Sequence, residues 1–190
     1  MSDLFVALPA VGLYLFTAFR QWQTIAGHQP ANRGLVLTTT MIAALLHLGY
    51  LSFDAITGRA GGHAINFAVF EVGSLIGWVI TLLLLFSSWK KPVENLFVGL
   101  FPMTAVVLLV AALADQHNPL GHLSYSLAWH ILLSILAYSV FVIAAVQSIL
   151  LFLQDKHLRQ HKTHGLIRAL PPLQIMDALL FEMIWLGMIL

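Results

Sequence analysis

Residues 93–114 read VENLFVGLFPMTAVVLLVAALA, and after Glu94 the next twenty positions carry no charge. Coiled into an α-helix at about 1.5 Å per residue, those twenty reach about 30 Å, the thickness of a bilayer's hydrocarbon core. No polar stripe interrupts them, so the segment offers no face suited to water. It reads as a membrane-spanning helix. Working outward, the same pattern recurs at Leu4–Phe19, Gly34–Phe53, Ala64–Trp89 and Ser124–Gln154. A sixth apolar run starts near Ala178 and is still apolar at Leu190. The 13 residues after Asp177 reach about 20 Å, which reads as a span cut short. The expected fold is all-α: a polytopic transmembrane bundle of five complete spans and a truncated sixth. Residues 1–190 are expected to form one domain, since no linker, repeat or low-complexity run divides them.

The composition agrees. Of the 190 residues 59% are hydrophobic and 9% charged, against the roughly 25% charged residues of a soluble domain. A net charge of +1 supplies no field to recruit nucleic acid. The absence of cysteine excludes disulfides, thiolate metal sites, thiol exchange and covalent CxxCH haem attachment. No Walker loop, GxGxxG, GxSxG or HExxH motif is present, so enzymatic chemistry is not expected. The start Met-Ser-Asp is acidic, so the first span reads as retained rather than as a cleaved leader.

Charge predicts orientation. The loops after spans one, three and five hold Arg20, Arg33, Lys90, Lys91, Lys156, Arg159, Lys162 and Arg168, whereas those after spans two and four hold Arg59. The positive-inside rule puts loops one, three and five in the cytoplasm and the N-terminus outside. For a bacterial cell this means a multi-pass inner-membrane protein in contact with the lipid bilayer.

Nine histidines are the unusual usage, and only His47 and His130 fall inside spans. Counted from the outer ends at Phe53 and Ser124, each lies about 9 Å below the boundary. Equal depth on two helices is what a bis-histidine haem or metal site requires. On span two Thr40, Ala43, Ala44, His47 and Tyr50 share a side, and on span five Ser126, His130, Ser134, Ala137 and Phe141 do. Small and hydroxylated residues at this spacing bring helices close and leave room for a flat group. The same pattern serves an interhelical hydrogen bond or a proton relay. Glu71 in span three reads either as a proton or cation site or as an acid hydrogen-bonded to another helix. His117 and His122, in the nine-residue loop Asp115–Leu123, read as turn residues. His157, His161 and His164 are interleaved with Lys156, Arg159 and Lys162 and read as a solvated basic segment facing headgroups.

Two stretches carry a resemblance: Ala128-Trp129-His130-Ile131-Leu132-Leu133-Ser134-Ile135-Leu136-Ala137-Tyr138 and Leu170-Pro171-Pro172-Leu173-Gln174-Ile175-Met176-Asp177. With Asn66-Phe67 and Ser74-Leu75, they resemble the integral-membrane cytochrome c assembly protein family. The haem-presenting members carry a tryptophan-rich WWD motif in a large outer loop. This chain has no WWD and a short loop there, and so resembles the branch without it. The resemblance implies a non-covalently held b-type haem near the outer face, with His47 and His130 as axial ligands. Ser126 and Ser134 are expected to line the pocket. It implies a role in cytochrome c biogenesis or haem trafficking, with haem and other biogenesis proteins as partners. Two alternatives stay open: a proton- or cation-translocating protein using Glu71 and the histidines, and a structural or regulatory subunit in which the histidines tie helices together.

Overall fold

Inside hydrocarbon no water satisfies backbone polar groups, so each spanning segment closes its own hydrogen bonds as a helix. In the computed structural model, which describes residues 2–27, 29–30, 32–57, 68–91, 93–114, 124–159 and 172–190, six α-helices follow one another. They are α1 (Ser2–Ile25), α2 (Arg33–Thr57), α3 (Val69–Ser88), α4 (Phe97–Ala114, entered through a 3-10 turn at Glu94–Leu96), α5 (Tyr125–Arg159) and α6 (Leu173–Ile189). The first five are long and apolar enough to cross a membrane. The chain is a multi-pass membrane protein.

Three boundaries differ from expectation. Helix α3 begins at Val69, after Ala68 in extended conformation, while Ala64 lies outside the described residues. Helix α5 runs 35 residues to Arg159, about 52 Å at the standard rise. It therefore outlasts the hydrocarbon core and ends in a turn holding Lys156, His157 and Arg159, where cations suit the helix C-terminus. Helix α6 starts at Leu173 directly after Pro172, a residue that opens a helix without losing a needed donor. It thus begins before Ala178, where the sixth apolar run was expected to start, and includes Asp177.

Helices α1 to α4 close a ring, with α1 against α2 and α4, and α3 against α2 and α4. Helix α5 leans on α3 from outside, and α6 packs on α5. The ring is centred on Tyr14, Phe97 and Phe101, all fully buried. Phe97 and Phe101 stack with centroids 4.4 Å apart, and Tyr14 lies tilted at 5.3 Å from Phe101. Polarity is inverted relative to a water-soluble bundle. Thr17, Thr40, His47, Ser74, Thr81, Ser139 and Gln147 are buried, while Phe5, Leu45, Phe86, Val106, Leu113 and Phe152 face outward. Lipid is the solvent such a surface fits.

Small residues set the closest approach. Gly73 and Gly77, one turn apart on α3, face Val107 and Thr104 of α4, and a Cβ on Gly77 would lie 3.0 Å from Thr104 Cγ2. Helices without a hydrophobic drive between them associate through such close contacts. At one end of the ring Arg33 ties three elements: its guanidinium donates to the Ser88 carbonyl, and Nε lies 2.6 Å from Glu94 Oε1. Arg20, Lys90, Lys91 and the basic last turn of α5 belong to that same end, so the cation-bearing connections lie on one side. Arg59, Lys162 and Arg168 fall outside the described residues.

Replacing Gly77 by Val adds branched volume where no space exists. We expect it to cost about 1–3 kcal/mol, read as a lowered midpoint in thermal unfolding of the detergent-solubilised protein, whereas Gly49→Ala, with nothing within 4 Å of its added Cβ, leaves the midpoint in place.

Candidate functional site

The predicted face of α2 is buried throughout: Thr40, Ala43, Ala44, His47 and Tyr50 all lie inside the bundle. His47 is held at both ring nitrogens. Nδ1 lies 3.1 Å from the Tyr14 hydroxyl of α1, and Nε2 lies 2.9 Å from Ser74 Oγ of α3. A neutral imidazole carries one N–H and one lone pair, so the two hydroxyls divide the roles, one accepting and one donating. The Tyr14 ring meets His47 edge-on at 5.8 Å.

Around this contact α2 and α3 are joined by three polar pairs, one per turn. Trp78 Nε1 donates to the Ala44 carbonyl at 2.9 Å, His47 meets Ser74, and the Tyr50 hydroxyl donates to Glu71 Oε1 at 2.7 Å. Position falls on α3 as it rises on α2, the register of an antiparallel pair. Glu71, read in the sequence as either a cation site or an interhelical acid, has the interhelical bond. On the other flank of α2, Thr17 Oγ1 of α1 donates to Thr39 Oγ1 at 2.9 Å.

The second histidine is elsewhere. The buried stripe of α5 is Ile135, Ser139, Ile143 and Gln147. His130 and Ser126 are exposed, and Ser134 is half-buried. Helix α3 stands between α2 and α5. Ser139 Oγ lies 3.5 Å from the Ile76 carbonyl, which registers α5 against α3. Counted from there, His130 sits about 10 Å nearer the helix ends than His47. The equal depth expected from the span boundaries is therefore corrected: the true start of the packed part of α5 lies deeper than the apolar run implies. His47, with both nitrogens engaged, and His130, on an outward face, do not fit as the two axial ligands of one haem in this arrangement.

The remaining candidates separate cleanly. His157 is exposed, and its Nδ1 donates to its own helix's Leu153 carbonyl at 2.7 Å. His117, His122, His161 and His164 lie outside the described residues. Among the described residues no group of three or more His, Cys, Asp and Glu is placed to hold a metal ion. Sequence reading missed Tyr14, Trp78 and the pairing role of Ser74. The signal available was the antiparallel register, in which residues 44, 47 and 50 face 78, 74 and 71.

A family model described as cytochrome C assembly protein matches residues 36–190. The chain belongs to the cytochrome c assembly protein family. The match takes in α2 to α6 with His47, Ser74 and His130, whereas α1, which supplies Tyr14, precedes it. No curated protein and no solved structure matches the chain. Membership brings a role in c-type cytochrome biogenesis to a bundle whose interior histidine is a tie between helices.

Two substitutions measure that tie. His47→Ala leaves the Tyr14 and Ser74 hydroxyls without their partner and is expected to cost about 1–3 kcal/mol. Tyr14→Phe removes the bond to His47 and keeps the ring packing, at about 0.6–2 kcal/mol. Chemical or thermal unfolding in detergent, followed by circular dichroism, reads both, and equal midpoints for wild type and His47→Ala would remove the hub.

Proposed function

We propose that this chain serves c-type cytochrome biogenesis as a haem-binding subunit of a bacterial inner membrane. Its basic connections face the cytoplasm and the start of α5 faces outward. Haem is the cargo, held non-covalently, and His130 is the residue that ligates its iron. The observation that carries the reading is the open imidazole of His130, which is exposed and has no hydrogen-bond partner among the described residues. Ser126, Leu127, Leu133 and Ser134 share its face at spacings of three and four. Trp129 flanks it, edge-on to Tyr125 at 6.0 Å. An imidazole lone pair in aromatic and aliphatic surroundings is the setting that haem iron and a flat macrocycle favour.

His47 has a different task in this reading. It holds α1, α2 and α3 together, so that α5 has a rigid α3 to lean on. A site with one protein histidine leaves the iron's second axial position to another donor. That suits a carrier that passes its cargo to a further biogenesis protein and performs no covalent chemistry.

The polar pairs between α2 and α3 favour a second reading, in which Glu71, Tyr50 and His47 conduct protons. The two readings part on different residues.

The test is an absorption spectrum of the detergent-purified protein during haem titration, oxidised and then reduced with dithionite. Wild type and His47→Ala are expected to develop a Soret band with sharp reduced α and β bands, and His130→Ala to lose them while keeping its helical circular dichroism. A folded wild type that stays colourless would sink the haem reading. Loss of proton flux into proteoliposomes on Glu71→Gln would then establish the second.

A further inference from the structure

A cavity of about 200 Å³ opens at the basic end of the bundle, between the turn that follows α3 and the side of α6. Its floor is apolar, made by Phe86, Val93, Leu179, Met183 and Leu186, and its mouth holds Lys90, Lys91 and Glu182. Lys91 Nζ is bonded to Glu182 Oε2, which joins the α3–α4 turn to α6 and cancels one pair of charges. Lys90 is left over: its ammonium is exposed, 6.0 Å above the Phe86 ring. The mouth therefore carries one net positive charge above an apolar slot.

Its level in the membrane is marked independently. Trp89, beside Lys90, is 75% exposed, and outward-facing tryptophans settle at the headgroup boundary. Lys90 thus stands where lipid phosphates lie, and the floor below it stands where acyl chains begin. A soluble anion would meet the cation and leave the floor bare. A zwitterionic lipid would cover the floor and gain little from the net charge. An anionic phospholipid satisfies both parts.

We propose that this cavity is a binding site for one anionic phospholipid of the leaflet on the basic side, its phosphodiester at Lys90 and an acyl chain against Phe86, Met183 and Leu186. The bound lipid bridges the α3–α4 turn and α6, beside the Lys91–Glu182 pair. The site is separate from the His130 face, so its test stands or falls apart from haem binding.

Native mass spectrometry of the purified full chain decides it, with phosphatidylglycerol, phosphatidylethanolamine or sodium phosphate added in turn. Wild type is expected to retain phosphatidylglycerol about fivefold better than phosphatidylethanolamine, the preference that one interfacial lysine confers. Lys90→Gln is expected to reduce phosphatidylglycerol to the phosphatidylethanolamine level. Met183→Trp fills the floor without touching either lysine and is expected to weaken both lipids, with sodium phosphate failing to compete in any variant. Equal retention of the two lipids by wild type overturns the proposal, as does unchanged phosphatidylglycerol binding in Lys90→Gln. Displacement of the lipid by sodium phosphate would make the mouth a simple anion site and overturn it too. Should Met183→Trp misfold, the exposed Lys90 substitution still decides.

Discussion

A polar side chain in the hydrocarbon core has no water to fall back on, so its bond must come from another helix. His47 puts this constraint to use. It has two ring nitrogens to satisfy, and it does so with one neighbour on each side, Tyr14 of α1 and Ser74 of α3. A single side chain on α2 thereby sets the rotation of three helices at once. The pairs above and below it, Trp78 with the Ala44 carbonyl and Tyr50 with Glu71, hold the α2–α3 register against slippage by a turn. Each such bond contributes modestly, on the order of 1 kcal/mol in a membrane. Their common register is what makes the arrangement unique.

The rest of the bundle follows from that fixed α3. One face of it meets α2 through the polar pairs, and Gly73 and Gly77 lie against Val107 and Thr104 of α4. A third side takes α5, through Ser139 and the Ile76 carbonyl. Helix α6 then packs chiefly on α5, where Gln147 Nε2 donates to the Met176 carbonyl at 3.1 Å and Gly187 admits the Phe141 ring, and touches the α3–α4 turn through Glu182 and Lys91. Helices α5 and α6 thus form a pair attached to the ring by one side. The first two turns of α5, from Tyr125 to His130, are exposed all round for this reason. The chain consequently has one histidine, His47, buried between three helices and another, His130, exposed near the start of α5.

The two histidines also mark how far periodicity reaches in a membrane protein. On α2 the stripe Thr40, Ala43, Ala44, His47 and Tyr50 was legible and is buried in full. Polar residues clustered on one side can only be the inside there. On α5 two stripes of similar character compete. Ser126, His130 and Ser134 form one, and Ser139, Gln147 and Gln154 the other. Only the second is buried: Ser139 lies against the Ile76 carbonyl of α3 and Gln147 against the Met176 carbonyl of α6. The longer polar groups Gln147 and Gln154 were the better guide, since an amide has more bonds to satisfy than a hydroxyl or an alanine.

Taken alone, the amino-acid sequence determined that the chain is helical and membrane-embedded, and that its cations gather on one side. Those properties depend on the length and charge of local runs, which bilayer thickness turns directly into spans. It also determined the buried face of α2. Which neighbours His47 would bind, where α6 would begin, and how deep His130 would sit were decided only by the tertiary structure. In lipid, apolar side chains face inside and outside alike, so helix rotation and depth are set by the few polar bonds and close glycine contacts between helices. Those become visible only when the helices are placed together.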